Sequence, residues 1–173
     1  MKNTLTINLF GGPCTAKSTV AANLFAELKW SRVQCELVTE YVKSLVFEKN
    51  FYKMEDQLYI FAKQHRRHLI LNGKVDVVIT DSPLPLCFYY DNNRTPFLRE
   101  IILSQFNKFN NLNILLERGG DYDPIGRMQT ESEAKIVDIE MKQMLIDNNI
   151  NYITMSGRTA VSGILDMIKI SNG

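Results

Sequence analysis

The stretch LFGGPCTAKSTVAANLF, residues 9–25, constrains this chain more than any other. A short apolar run, LTINLF (5–10), ends on two glycines, and a helical pattern opens at Lys17. Between them, Gly11-Gly12-Pro13-Cys14-Thr15-Ala16-Lys17-Ser18 follows G-x-x-x-x-G-K-[ST] except at Ala16. In such a turn, successive backbone N–H groups and the free N–H groups of the helix start point at one spot, where they bind phosphate oxygens. The pattern assigns Gly12, Pro13, Cys14, Thr15, Ala16, Lys17, Ser18 and Thr19 to this cradle. Lys17 reaches the β and γ phosphates, and Ser18 offers its hydroxyl to Mg²⁺. Ala16 is the departure. Its methyl is harmless at negative φ; at positive φ the strain costs about 1 kcal/mol or more.

Strand and helix patterns alternate after the cradle. Residues 17–29 place Val20, Ala21, Leu24, Phe25 and Leu28 on one helical face. CELVT (35–39) reads as a second strand, followed by a short helix over 40–47. Residues 55–71 read as a helix with Leu58, Phe61, Ala62, His65 and Leu69 on its apolar face. VDVVIT (75–80), LNILLE (112–117) and NYITM (151–155) read as three more strands, and helices are expected over 96–109, 131–147 and 160–170. Thr130 and Glu133 read as a capping box for the second of these. The alternation predicts βαβ units and an α/β fold of three layers around a mostly parallel five-stranded sheet. With 173 residues, no repeat and no linker, one domain is expected.

Composition narrows the class. A net charge of +1 gives no global attraction to polyanions. Cys14, Cys35 and Cys87 form neither a CxxC pair nor a zinc-ligand spacing. Nothing approaches the ~20 apolar residues that cross a bilayer. The reading is a cytoplasmic protein with no membrane partner. A guanine-reading Asn-Lys-x-Asp is missing, and the strand-ending Asp81 is followed by Ser82-Pro83 rather than by a water-activating glutamate.

With these features in place, the chain resembles the P-loop nucleoside and nucleotide kinases. It is similar in particular to phage-encoded proteins labelled AAA-family ATPase and to the ribosylnicotinamide and deoxynucleoside kinase branches. The resemblance rests on GGPCTAKST (11–19), VTEYVK (38–43), EDQLYIFAKQHRR (55–67), VDVVITDSPL (75–84) and RGGDYDPIGRMQT (118–130). It implies a strand order 2-3-1-4-5, a lid over 118–130, and ATP and Mg²⁺ as cofactors. Lys17, Glu40, Asp81, Arg118 and Arg127 then carry catalysis, with Ser18 and Asp81 on the metal. Either Glu40 or Asp81 is the base. Glu40, Gln57, Gln64 and Arg67 face the acceptor, with Tyr122 and Gln129 shaping the lid. Gly157-Arg158-Thr159 resembles a loop that touches adenine. His65 and His68 read as packing residues, and Phe88, Tyr89 and Tyr90 as a stacking surface or a core cluster.

The function implied is an ATP- and Mg²⁺-dependent kinase of a nucleoside, nucleotide or related ribosyl compound. Two alternatives stay open: a kinase of a modified base within phage DNA, placing the protein in the host cytoplasm, and a nucleotide-binding switch with little turnover. A homodimer built on the 55–71 helix also stays open.

Overall fold

Apolar β-branched runs separated by helical patterns pair side by side when each strand is buried on both faces. The computed structural model describes residues 2–119 and 131–171. Its strands are β1 (Leu5–Phe10), β2 (Cys35–Val38), β3 (Val77–Thr80), β4 (Asn110–Glu117) and β5 (Ile153–Ser156). All pair in parallel in the order β2-β3-β1-β4-β5, as expected. The register sets Ile7 against Ile79 on one side and Leu112 on the other.

Helices cover both faces. On one, Ile7 and Leu9 of β1 pack with Val20, Leu24 and Leu28 of α1 (Lys17–Trp30) and with Ile164 of α8 (Ala160–Ser171). On the other, Phe10 packs with residues of α2 (Tyr41–Phe47), α4 (Gln57–Leu69), α5 (Leu86–Tyr89), α6 (Leu98–Phe106) and α7 (Glu131–Asp147). The single turns α3 (Phe51–Met54) and α5 are too short to show a helical period in sequence.

Two features depart from the apolar pattern. Asn8, buried in β1, donates to the side-chain oxygens of Asn111 and Asn113 at 2.9 Å each, and Asn113 donates to Asn151 O at 2.9 Å. This polar ladder crosses β1, β4 and the approach to β5, and satisfies groups that would otherwise be costly to bury.

The second is the phase of α4. The buried face is Gln57, Ile60, Phe61, Gln64 and His68, whereas Leu58 and Leu69 are 48% and 44% exposed and Ala62 is also outside. The expected apolar stripe is therefore rotated. The two glutamines find partners indoors, which hydropathy alone does not count. His68 and His65 pack as rings around Phe109, in keeping with their reading as packing residues. Thr130 of the expected capping box, and Tyr122, Arg127 and Gln129 of the expected lid, lie outside the described residues.

Candidate active site

The turn between β1 and α1 is built from a strained backbone. Gly11 sits at φ 144°, where a Cβ would press on Thr15 and Leu116 O. Cys14 and Ala16 both hold φ 63°. Ala16 thus takes the strained branch of the expectation, in the left-handed region that disfavours a side chain by about 1–2 kcal/mol. Its methyl lies 3.5 Å from where a Cβ on Gly157 would stand. The side chain therefore lies beside the β5–α8 loop, at a distance where a Cβ at position 157 would make an ordinary contact.

Inside the loop, Thr15 Oγ1 donates to Gly12 O at 2.9 Å. Lys17 Nζ donates to Gly11 O at 2.7 Å and Gly12 O at 2.8 Å, so the ammonium lies folded over the turn. Ser18 is exposed in the first turn of α1. The Gly12 N–H donates to Asp138 Oδ1 at 3.2 Å. An anionic oxygen therefore already meets one amide of the loop, and the donor set fits a polyphosphate. Asp138 was invisible as a site residue, because a lone aspartate within a charged helix carries no signal. Its other oxygen accepts from Arg118 Nε at 2.9 Å, and Arg118 Nη2 donates to Ala134 O. Arg118 is thereby anchored at the end of β4 against α7.

The neighbouring strand ends bring two carboxylates to the same edge. Asn8 of β1 pairs with Thr80 of β3, so Asp81 lies beside the start of the cradle. Glu40 follows β2, and its N–H donates to Asp81 Oδ1 at 3.1 Å. Water reaches Glu40 at the cleft mouth, yet dehydration by the surrounding walls raises its carboxyl above the usual range, with the Asp81 charge adding to it. Dehydration also raises the Asp81 carboxyl, while Lys17 and Lys43 pull both down. A carboxylate raised in this way is suited to taking a proton from a hydroxyl. Among the described residues no cluster of three or more acidic, histidine or cysteine side chains forms a ready cation cage. Mg²⁺ in phosphate sites uses one or two carboxylates plus substrate oxygens, which Asp81 and Ser18 can serve.

Gln64 is bonded into the frame of the site. Only 1% exposed, its amide accepts from Tyr41 N at 3.2 Å and donates to Thr39 O and Ser82 O at 3.3 Å each. All three partners are backbone groups next to Glu40 or Asp81. Both its N–H groups and one lone pair of its oxygen are engaged by the frame, so it braces the loops that carry the two carboxylates. Arg67 likewise donates to Thr39 O at 2.9 Å and lies over the Tyr41 ring at 5.2 Å.

Gln57 does line a cavity of about 350 Å³, with Glu40, Ser82, Cys87, Tyr90 and Asn92. One hydrogen of its amide goes to Met54 O. Of the three aromatics after the Asp81 turn, Tyr90 lines this cavity, Tyr89 donates to Glu140 and Phe88 packs on the core. A second cavity of about 380 Å³, bordered by Arg118, Asp138 and Lys142, opens between β4 and α7.

A family model described as an AAA domain matches residues 6–161. No curated protein matches the sequence. Among solved structures, the chain is similar to thymidylate kinase from Ehrlichia chaffeensis, with 14% identity, TM-score 0.61, and coverage of 96% of this chain and 99% of that one. It is similar to deoxyadenosine kinase from M. mycoides, with 15% identity, TM-score 0.59 and coverage of 95% and 98%. A NadR protein in complex with NR gives 13% identity and TM-score 0.62 over 95% of this chain, which spans 51% of that one.

Proposed function

The chain belongs to the AAA domain family and has the fold of P-loop nucleotide kinases, and from that premise we propose that it is an ATP- and Mg²⁺-dependent phosphotransferase acting on a nucleoside, nucleotide or related ribosyl compound. One observation carries the reading: a lysine-bearing amide cradle stands at the same edge of the sheet as Asp81 and Glu40, whose N–H donates to the Asp81 carboxylate, and Glu40 lines a cavity beside them.

ATP supplies the γ-phosphoryl group. The main-chain N–H groups of residues 14–18 and the Lys17 ammonium hold its phosphates, and Lys17 leaves Gly11 O and Gly12 O to do so. Ser18 and Asp81 hold Mg²⁺. Glu40 takes the proton of the acceptor hydroxyl as the hydroxyl oxygen bonds to phosphorus and the bridging oxygen departs with ADP. Positioning and charge stabilisation supply most of the rate in such transfers. Arg118, fixed by Asp138, lends a positive edge to the cradle, and Arg127 is proposed to act from the lid over 118–130.

ADP formation is measured with a panel of nucleosides, nucleotides and ribosyl compounds. Acceptor-dependent ADP formation that Lys17→Ala reduces by at least about a hundredfold supports the kinase. Undiminished turnover in that variant overturns the cradle assignment. The strained backbone at Ala16 favours a second reading, a nucleotide-binding switch, which tight ATP binding without transfer to any acceptor would support.

A further inference from the structure

The cavity beside Glu40 carries information about charge. Apart from Glu40, its lining is apolar or neutral and includes Val42, Met54, Ile60, Leu86, Gln57 and Tyr90. It shares Met54, Tyr90 and Asn92 with a neighbouring space of about 600 Å³ that Phe51, Glu55 and Asn93 complete. Among the described residues lining both spaces, the charged side chains are Glu40 and Glu55, both acids. Lys17 belongs to the cradle and Lys43 is exposed on α2, so neither lines the cavity.

We infer that the acceptor is a phosphate-free molecule of nucleoside size, its hydroxyl at Glu40 and its ring system between the apolar walls and the amide of Gln57. The inference rests on the kinase reading only for the fate of that hydroxyl. The volume falls in the range of small-molecule sites, and a few polar groups among apolar walls is their usual composition. A phosphate on the acceptor would stand among walls whose charged side chains, Glu40 and Glu55, are both acids. Like charges facing each other weaken binding, and the lysines that act on Glu40, Lys17 and Lys43, stand outside the cavity lining.

The negative field of Glu40 is felt across the cavity. It adds to burial in raising the Tyr90 phenol and in pushing the Cys87 thiol up to about 12. Tyr90 therefore keeps its proton and can donate to a neutral acceptor, and Cys87 stays an uncharged wall.

The test compares equilibrium binding of neutral nucleosides and their 5′-monophosphates to the full chain by calorimetry, in the presence of a non-transferable ATP analogue and Mg²⁺. ADP formation is followed with ATP and the same compounds. Nucleosides are expected to bind at least about tenfold more tightly than the matching monophosphates. Glu40→Gln, which keeps size and leaves the core untouched, is expected to shrink that ratio by about tenfold while abolishing most transfer. Monophosphates that bind as well as nucleosides, or no nucleoside binding at all, overturn the inference. Nucleosides that bind without transfer uphold it while defeating the kinase reading; transfer confined to monophosphates does the reverse.

Discussion

Ala16 holds its methyl on a left-handed backbone at the mouth of the phosphate cradle, and glycine would occupy that conformation without strain. Ala16→Gly is therefore expected to stabilise the fold by about 0.5–1 kcal/mol, the relieved strain exceeding the added freedom of the unfolded chain. Urea denaturation measures it, and an unchanged or lower midpoint contradicts the strain account. His68 poses the opposite case, a polar ring with its Nε2 unpartnered in the core. Burial, with the charge of His65 adding, lowers its pKa to about 4 from 6.5. Below pH 6.5 the unfolded chain takes up a proton that the folded ring refuses until about pH 4. Stability is therefore complete above that window and falls through it by up to about 3 kcal/mol as the pH drops. The raised carboxyls of Glu40 and Asp81 act in the reverse sense, losing stability as the pH rises. The difference between wild type and His68→Leu across pH 4–7 isolates the ring, and parallel stability curves for the two proteins refute its role.

At the scale of elements, the site depends on how α4 is seated. Gln64 ties the loops after β2 and β3 to one helix through three backbone bonds. Gln64→Met keeps volume but takes the partner from the part-buried Tyr41 N–H and Ser82 O, while Thr39 O keeps Arg67, so a loss of about 1–2 kcal/mol is expected on thermal unfolding. Because Glu40 and Asp81 lose their common brace, kcat per folded molecule is expected to fall by about ten- to a hundredfold with KM for ATP little changed. A loss of stability alone, with kcat intact, shows that the brace does not serve the chemistry. Asp138 plays a similar part for α7, joining the cradle amide of Gly12 to Arg118. The elements that position the site were legible where the period was strong: α1, β1 and β3 stand close to their expected places. The phase of α4 was not, because its buried face carries Gln57, Gln64 and His68, and the cost of burying the last two depends on partners 18 to 41 positions away in sequence.

For the whole molecule, the cradle, the carboxylates and the cavity share one end of a single parallel sheet, so nucleotide binding and folding are linked. ATP at a hundred times its dissociation constant is expected to add about 2.7 kcal/mol of stability. For a chain of this length that is a rise in Tm of about 5–10 °C, which Lys17→Ala should erase. A thermal scan in which ATP shifts both proteins equally would place its binding elsewhere. Among the described residues no helix is long and apolar enough to cross a membrane. The sequence by itself determined what depends on neighbours in the chain: the strand–turn–helix of the cradle, the alternation that makes a parallel α/β sheet, and the carboxylates closing two strands. Only the tertiary structure decided which φ Ala16 adopts, that Gln64 braces while Gln57 faces the cavity, and that Asp138 reaches the cradle from α7. Those outcomes are set by packing and by buried hydrogen bonds between residues far apart in the chain, and such pairings leave no period or spacing to read.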